Sequence, residues 1–475
     1  MPTQEEKRKA VEKILEQNIL VGPELLSALE KEQTLKFVLG LPEKFSEEDL
    51  KKIIMITPGR VEVVRSYKEE ARKRCVEDFT AYFNIRYTKL KEILQKKQEL
   101  QDALSIKRVA AKTERENVCI IGMVYEKSVT KNNNIMFTLE DPTGQIKVVI
   151  TKNKADTFKI AADCVRDEVI GITGVCGNNI IFADNILTPE IPATNELKKG
   201  PEDAYAVFTG DQHFGSRHFL HNSFESFIKW INCELGSEEQ KEIAKKVKYI
   251  FLVGDLVEGI GIYPTQYNDL ELKDIEQQYA KLAENLKRIP KHISIIICAG
   301  NHDALRLIEP QPPIYSDYAP GLYELPNLYL VSNPSIINIG ATGNFKGFNV
   351  LLYHGMSFSF YASNVESIRS QGGHERADLV MKFLLQRRHL APEHTSVTYT
   401  PLPDKDPLLI DMVPDFFVTG HIHRASVSSY RNITTLNCSC WIGMTDFQEK
   451  VGLIPEPGRA IAVNLQTREP KVMRF

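Results

Sequence analysis

At 475 residues the chain exceeds one ordinary hydrophobic core, and its length predicts about three domains. Its 43% hydrophobic and 25% charged residues match a folded globular protein and exclude disordered or fibrous architectures. A formal net charge of -3 excludes nucleic-acid binding by blanket positive charge, while leaving room for basic faces on single domains.

The eight cysteines carry no CxxC pair, which predicts a reduced setting, and Cys438 and Cys440 lack the second ligand pair a zinc site needs. No apolar run reaches membrane-spanning length, and the opening MPTQEEKRKAVEK lacks a signal-peptide core. A cytoplasmic protein with no membrane partner is expected.

Residues 1–65 read as a small all-α unit. Val11, Ile14 and Leu15 recur at helical spacing, Gly22-Pro23 breaks the pattern, Leu25, Leu26 and Leu29 resume it, and Ser46 with Asp49 marks a further helix start. A helical connector follows over 66–114. Its long helix, expected near 68–104, puts Leu90, Ile93, Leu94, Leu100 and Leu104 on one face and Lys89, Lys91, Lys96 and Lys97 largely on another.

From Val118 the pattern changes to five short β-rich runs: VCIIGMVYEK, IMFTLED, QIKVVI, EVIGITGVCG and NNIIFADNIL, with a helix-compatible stretch near 152–163. With its FTLEDPTG hairpin this segment, residues 115–198, resembles the OB-fold family, an all-β barrel. OB-folds grip single strands on aromatic platforms; Tyr125, Phe137, Phe158 and Phe182 are the candidates here, so packing against a neighbouring domain or subunit is an equal expectation.

The proline- and charge-rich TPEIPATNELKKGPED sets a boundary near 200, and residues 199–475 carry the chemistry. Five segments each place metal-ligand side chains after an apolar run: AVFTGDQHFG (Asp211, His213), YIFLVGDLVEG (Asp255), ISIIICAGNHD (Asn301, His302, Asp303), NVLLYHG (His354) and DFFVTGHIH (His421, His423). On an extended strand end, residues i and i+2 face one side, so Asp211 with His213, and His421 with His423, are expected to reach a common cation. The preceding glycines let the backbone turn sharply and approach an anion. Mixed carboxylate and imidazole donors suit Mn, Fe or Zn better than Mg or Ca.

These blocks, D-x-H, G-D, G-N-H, H and G-H-x-H in that order, resemble the calcineurin-like metallophosphoesterases. The resemblance implies an α/β domain of two facing sheets and two divalent transition-metal ions, Mn foremost. Asp211, His213 and His423 would hold one ion, Asn301, His354 and His421 the other, and Asp255 would bridge them. It casts His302 as a general acid or phosphate contact, with Asp303 orienting it or capping local backbone. Where relatives read G-D-x-x-D-G this chain has Glu258, a supporting candidate. Arg217, His218, Arg306 and Arg424 lie beside the blocks as candidate phosphate contacts.

Helical unit, OB-fold and phosphoesterase in this order, with GDQHFGSR, GNHDALR and QRRHLAPEH, resemble the small subunits of the archaeal family D DNA polymerases. That resemblance implies a 3′-to-5′ exonuclease acting on single-stranded or frayed DNA ends beside a large catalytic polymerase subunit. The sliding clamp is a further candidate partner, although the chain holds no convincing clamp-binding peptide. A catalytically silent scaffold and a stand-alone phosphatase or nucleotide phosphodiesterase are the alternatives.

Overall fold

The computed structural model describes residues 3–17, 19–21, 29, 35, 38–42, 44–46, 59–68 and 73–475. Gly22-Pro23, Leu25, Leu26 and Asp49 lie outside them. At the N-terminus, helix Gln4–Leu15 starts on a capping box between Thr3 and Glu6 and buries Ala10 and Ile14 in a small cluster with Leu29, Leu35 and Val38.

The strands are β1 (Val61–Ser66), β2 (Glu116–Val129), β3 (Ile135–Asp141), β4 (Gly144–Ile150), β5 (Val169–Gly177), β6 (Ile180–Leu187), β7 (Tyr205–Thr209), β8 (Val247–Val253), β9 (Ser294–Cys298), β10 (Leu328–Leu330), β11 (Ser335–Ile339), β12 (Phe348–Leu352), β13 (Phe416–Thr419), β14 (Ser426–Tyr430), β15 (Ile433–Asn437), β16 (Arg459–Asn464) and β17 (Pro470–Arg474).

Strands β2, β3, β4, β6 and β5 close a barrel in that order. Fourteen-residue β2 pairs with both β3 and β5, shifting register between Val124 and Glu126, the irregularity a strand needs to serve two sides of a barrel. Helix Ala155–Asp163 packs against β3, β4 and β6. Of the four candidate aromatic platforms, Phe137 is wholly buried in the barrel core, whereas Tyr125 and Phe182 are 56% and 47% exposed.

The remaining strands make two six-stranded sheets, β10-β9-β8-β7-β16-β17 and β1-β11-β12-β13-β15-β14. β7, β8 and β9 run parallel, as do β12, β13 and β15, and are buried almost throughout, which explains their unbroken apolar runs. The sheets share a core in which Phe208 stacks on Phe251 of its own sheet at 4.9 Å and meets Phe416 of the other at 5.8 Å. Helices His221–Ile231 and Ile275–Leu286 cover one outer face, and Ala377–Arg387 the other.

Two expectations are corrected. β1 pairs antiparallel with β11, so residues 61–66 extend a sheet of the C-terminal unit and a helical unit cannot run to 65. The connector helix spans Val76–Leu94 and then gives way to a 3-10 turn at Gln98–Leu100, short of 104. Its Tyr87, Leu90 and Leu94 wedge between Ile121 and Met123 of the barrel and Leu409 of the C-terminal unit.

Buried ion pairs lock this joint. Arg86 donates to Asp406 (2.9 Å) and to the Pro392 carbonyl, Tyr82 donates to the same carboxylate (2.6 Å), and His389 Nε2 lies 2.8 Å from it. Arg387 of the C-terminal unit meets Glu168 of the barrel at 3.2 Å, both buried.

Candidate metal centre

Four of the five segments line one cleft of about 390 Å³, and His354 of the fifth is buried against Asp255 at 3.3 Å. Asp211 and His213 follow the end of β7, Asp255 that of β8, Asn301 and His302 that of β9, His354 that of β12, and His421 and His423 that of β13. All seven expected ligands therefore sit just past the C-terminal ends of parallel strands, four in one sheet and three in the other.

The local geometry differs from strand alternation. Asp211, His213, Asp255, His421 and His423 all take positive φ, between 49° and 70°, a left-handed conformation that side chains with a Cβ rarely adopt. Left-handed turns past the strand end, two residues apart, aim Asp211 with His213 and His421 with His423 toward the same donor clusters. The glycines also serve another purpose than anion approach: a side chain at Gly254 would overlap the His354 ring, and one at Gly300 would overlap the Asp255 carboxylate.

Asp211, His213, Asp255 and His423 present donor atoms all within 4.8 Å of one another, as do Asp255, His354 and His421, the two groups sharing Asp255. Asn301 joins the second group, its Oδ1 3.1 Å from His354 Nε2. The Nε2 atoms of His213 and His423 face each other at 3.2 Å. His423 Nδ1 accepts from the Gln448 carboxamide Nε2–H (2.8 Å), whereas two other histidines are held from behind as Nδ1 donors, His213 to Glu258 (3.0 Å) and His354 to the Val253 carbonyl (3.0 Å). An imidazole whose Nδ1 proton is engaged in this way turns an unprotonated Nε2 lone pair inward. Converging lone pairs and carboxylates repel unless a cation lies among them, so the donors fit divalent ions, and their mixture suits the first transition series.

The electrostatics show the same demand. Burial would raise Asp255, but the charges of His354 and His302 hold it well below the usual carboxylate range. Burial would lower His354, yet Asp255 carries it up to about 9. Burial, reinforced by His354, pushes His421 down to about 4. Burial opposes ionisation of Glu258 too, but its bond to His213 brings it down to about 2.

His302 lines the cleft, its backbone N–H on Asp255 Oδ1 (2.8 Å) and its Nδ1 2.8 Å from the Glu258 carbonyl, which directs Nε2 away from that carbonyl. Asp303 does not orient it. Its carboxyl accepts from the backbone N–H of Gly300 (2.8 Å) and the Tyr279 hydroxyl (3.0 Å) beneath the cleft, where burial and Asp255 raise it to about 7. None of the three arginines lines the cleft: Arg217 donates to the Leu270 carbonyl, Arg306 to the Pro310 carbonyl, and Arg424 pairs with Glu375.

Sequence reasoning missed Tyr263, His374, Thr445, Gln448 and Leu453, all lining the cleft. The one available signal was the T-x-x-Q capping box that starts helix Asp446–Val451 and fixes Gln448.

The B-subunit family of DNA polymerases alpha and epsilon matches residues 206–428, and an OB-fold nucleic acid binding domain matches residues 118–184. The DNA polymerase II small subunit of Methanothermobacter thermautotrophicus is 38% identical over 82% of this chain and 78% of its own length. That of Archaeoglobus fulgidus is 38% identical over 84% and 77%, and that of Thermoplasma acidophilum 32% identical over 96% and 91%. Similarity at this level, over both the barrel and the strands that carry the cleft, shows that the chain belongs to the family of DNA polymerase II small subunits.

Proposed function

We propose that this chain is the 3′-to-5′ exonuclease subunit of a heteromeric archaeal replicative polymerase, with a calcineurin-like phosphoesterase domain formed by residues 199–475 and β1. The observation that carries the reading is the pair of donor clusters sharing Asp255. Asp211, His213 and His423 would hold one divalent ion, Asn301, His354 and His421 the other, with Asp255 common to both. Bound ions would supply Lewis acidity toward the phosphoryl oxygens and a water acidic enough to attack near neutral pH.

The chain's own residues do the rest. Glu258 and the Val253 carbonyl fix the tautomers of His213 and His354. Asp303 braces the Gly300 turn on which Asn301 and His302 stand. With Nδ1–H donating to the Glu258 carbonyl, His302 in its imidazolium form would offer Nε2–H to the leaving 3′ oxygen as general acid. The barrel of residues 115–198 and the face of the C-terminal unit nearest it would meet a large catalytic subunit. DNA, presented as a single-stranded or frayed end, is the substrate.

Manganese-dependent digestion of 3′- and 5′-labelled single-stranded DNA, with the large subunit present, tests this reading. Loss from the 3′ end is expected, abolished by Asp255→Asn and lowered about 10²- to 10⁴-fold by His302→Ala. No digestion by the intact protein would overturn the reading and leave a scaffold.

A further inference from the structure

Asn301 and His354 reach the second donor group from opposite sheets, one past β9 and the other past β12, and Asn301 Oδ1 comes within 3.1 Å of His354 Nε2. Apolar packing is non-directional and cannot by itself fix two ligands to the roughly 0.2 Å that metal coordination demands. A directional link between the two strand ends is needed, and the structure contains one.

The Gln311 carboxamide, 1% exposed, donates through Nε2 to the carbonyls of Gly300 (3.0 Å) and Arg306 (3.1 Å) and accepts at Oε1 from Asn333 Nδ2 (2.8 Å). Asn333, wholly buried where the chain passes from β10 of one sheet to β11 of the other, accepts at Oδ1 from the backbone N–H of His354 (2.8 Å). Their backbones pair as well, the Gln311 N–H on the Asn333 carbonyl at 2.8 Å and the Asn333 N–H on the Gln311 carbonyl at 3.0 Å. The Gly300 carbonyl shares its peptide plane with the Asn301 N–H, so holding the one orients the other. A carbonyl only accepts and a backbone N–H only donates, so Gly300 and His354 at the two ends admit a single orientation of both carboxamides.

We propose that Gln311 and Asn333 form an amide strut between the two sheets that sets the separation of Asn301 and His354, which makes both of them positioning residues for the second ion. The strut rests on the two-ion reading of the cleft. Among the described residues neither carboxamide bonds to Asp211, His213 or His423, so the first ion is held independently of it. The strut therefore acts on one ion of the pair, and a loss of general stability does not reproduce that selectivity.

The test is a Mn²⁺ titration of the 475-residue chain followed by electron paramagnetic resonance, comparing the intact protein with Asn333→Ala and with Gln311→Met, which keeps the length of the side chain without its amide. In both variants the first ion is expected to bind as in the intact protein and the second about 10- to 100-fold more weakly. At a concentration that fills both sites of the intact chain, the spin-coupled signal then gives way to that of an isolated ion. Retention of the first ion shows that a variant's cleft is folded; if Asn333→Ala does not fold, Gln311→Met decides alone. Equal weakening of both ions, or no weakening of either, would overturn the strut. Fewer than two ions in the intact protein would bring down the two-ion reading and the strut together. Two ions with the expected selective loss, in a protein that digests no DNA, would uphold the strut and remove the exonuclease reading alone.

Discussion

Two regions of this molecule bury the same kinds of charged side chain and treat them in opposite ways. At the joint between barrel, connector helix and C-terminal unit, Arg86, His389 and Tyr82 surround Asp406, and Arg387 faces Glu168. At the cleft, Asp211, Asp255 and four histidines turn their donor atoms toward one another. Burial of charge is common to both and therefore says nothing about function. What differs is the complement: the joint contains its own guanidinium cations, and the cleft gathers donor atoms that could hold a metal ion.

The sharpest way to break that comparison is to remove a partner from the joint. Asp406→Ala strands the Arg86 guanidinium in a buried position and is expected to cost about 3–5 kcal/mol in urea unfolding. A loss below about 1 kcal/mol would mean that water reaches Arg86 and the joint is not closed.

Acid should loosen the same joint. Burial would raise Asp406, but His389 and Arg86 hold it well below the carboxylate range, while burial and the charge of Arg86 push His389 down. Both folded values lie below their unfolded ones, so the unfolded chain binds more protons. Stability then falls as pH drops below about 6.5 through His389 and further below about 4 through Asp406. Thermal unfolding between pH 7 and 3 reads this slope, which Asp406→Ala flattens.

In the cleft the corresponding change weakens metal binding instead of the fold. Gln448→Ala removes the Nε2–H donor that orients His423 through Nδ1 and is expected to reduce Mn²⁺ affinity about 10- to 100-fold in a chelator competition. An unchanged affinity would show that His423 is held by packing alone.

Glu309 is a milder case that belongs to neither region. It is fully buried; Tyr353 donates to Oε2 at 3.2 Å, and Oε1 has no partner among the described residues. Burial pushes its carboxyl up to about 8, so its stability contribution is complete below pH 4.5 and is lost as pH rises toward 8. Glu309→Gln should therefore gain about 1–3 kcal/mol at pH 8 and almost nothing at pH 4.

The parts of the molecule that were legible in the sequence are those in which a local pattern carries the physics. Unbroken apolar runs marked β7, β8, β9, β12 and β13, and the Gly-Asp, Gly-Asn-His and Gly-His motifs marked where they end. Alternation and the Asp141-Pro142-Thr143-Gly144 turn marked the barrel strands. What stayed hidden depends on partners far away in the chain. Val61–Ser66 is a strand because β11 offers it an edge, Asp406 is buried because helix Val76–Leu94 brings Arg86 to it, and Gln448 matters because His423 stands beside it. The i, i+2 spacing of the ligands suggested strand alternation, but five residues in left-handed turns produce the convergence, a conformation that the spacing alone does not distinguish.

The proposal that the cleft holds two divalent cations is tested most directly by counting Mn²⁺ ions bound per chain by electron paramagnetic resonance during a titration of this 475-residue protein. Two ions per chain are expected, with a spin-coupled signal that disappears in Asp255→Asn. A folded protein that binds no Mn²⁺ at millimolar concentration, or binds it equally well without Asp255, would contradict it.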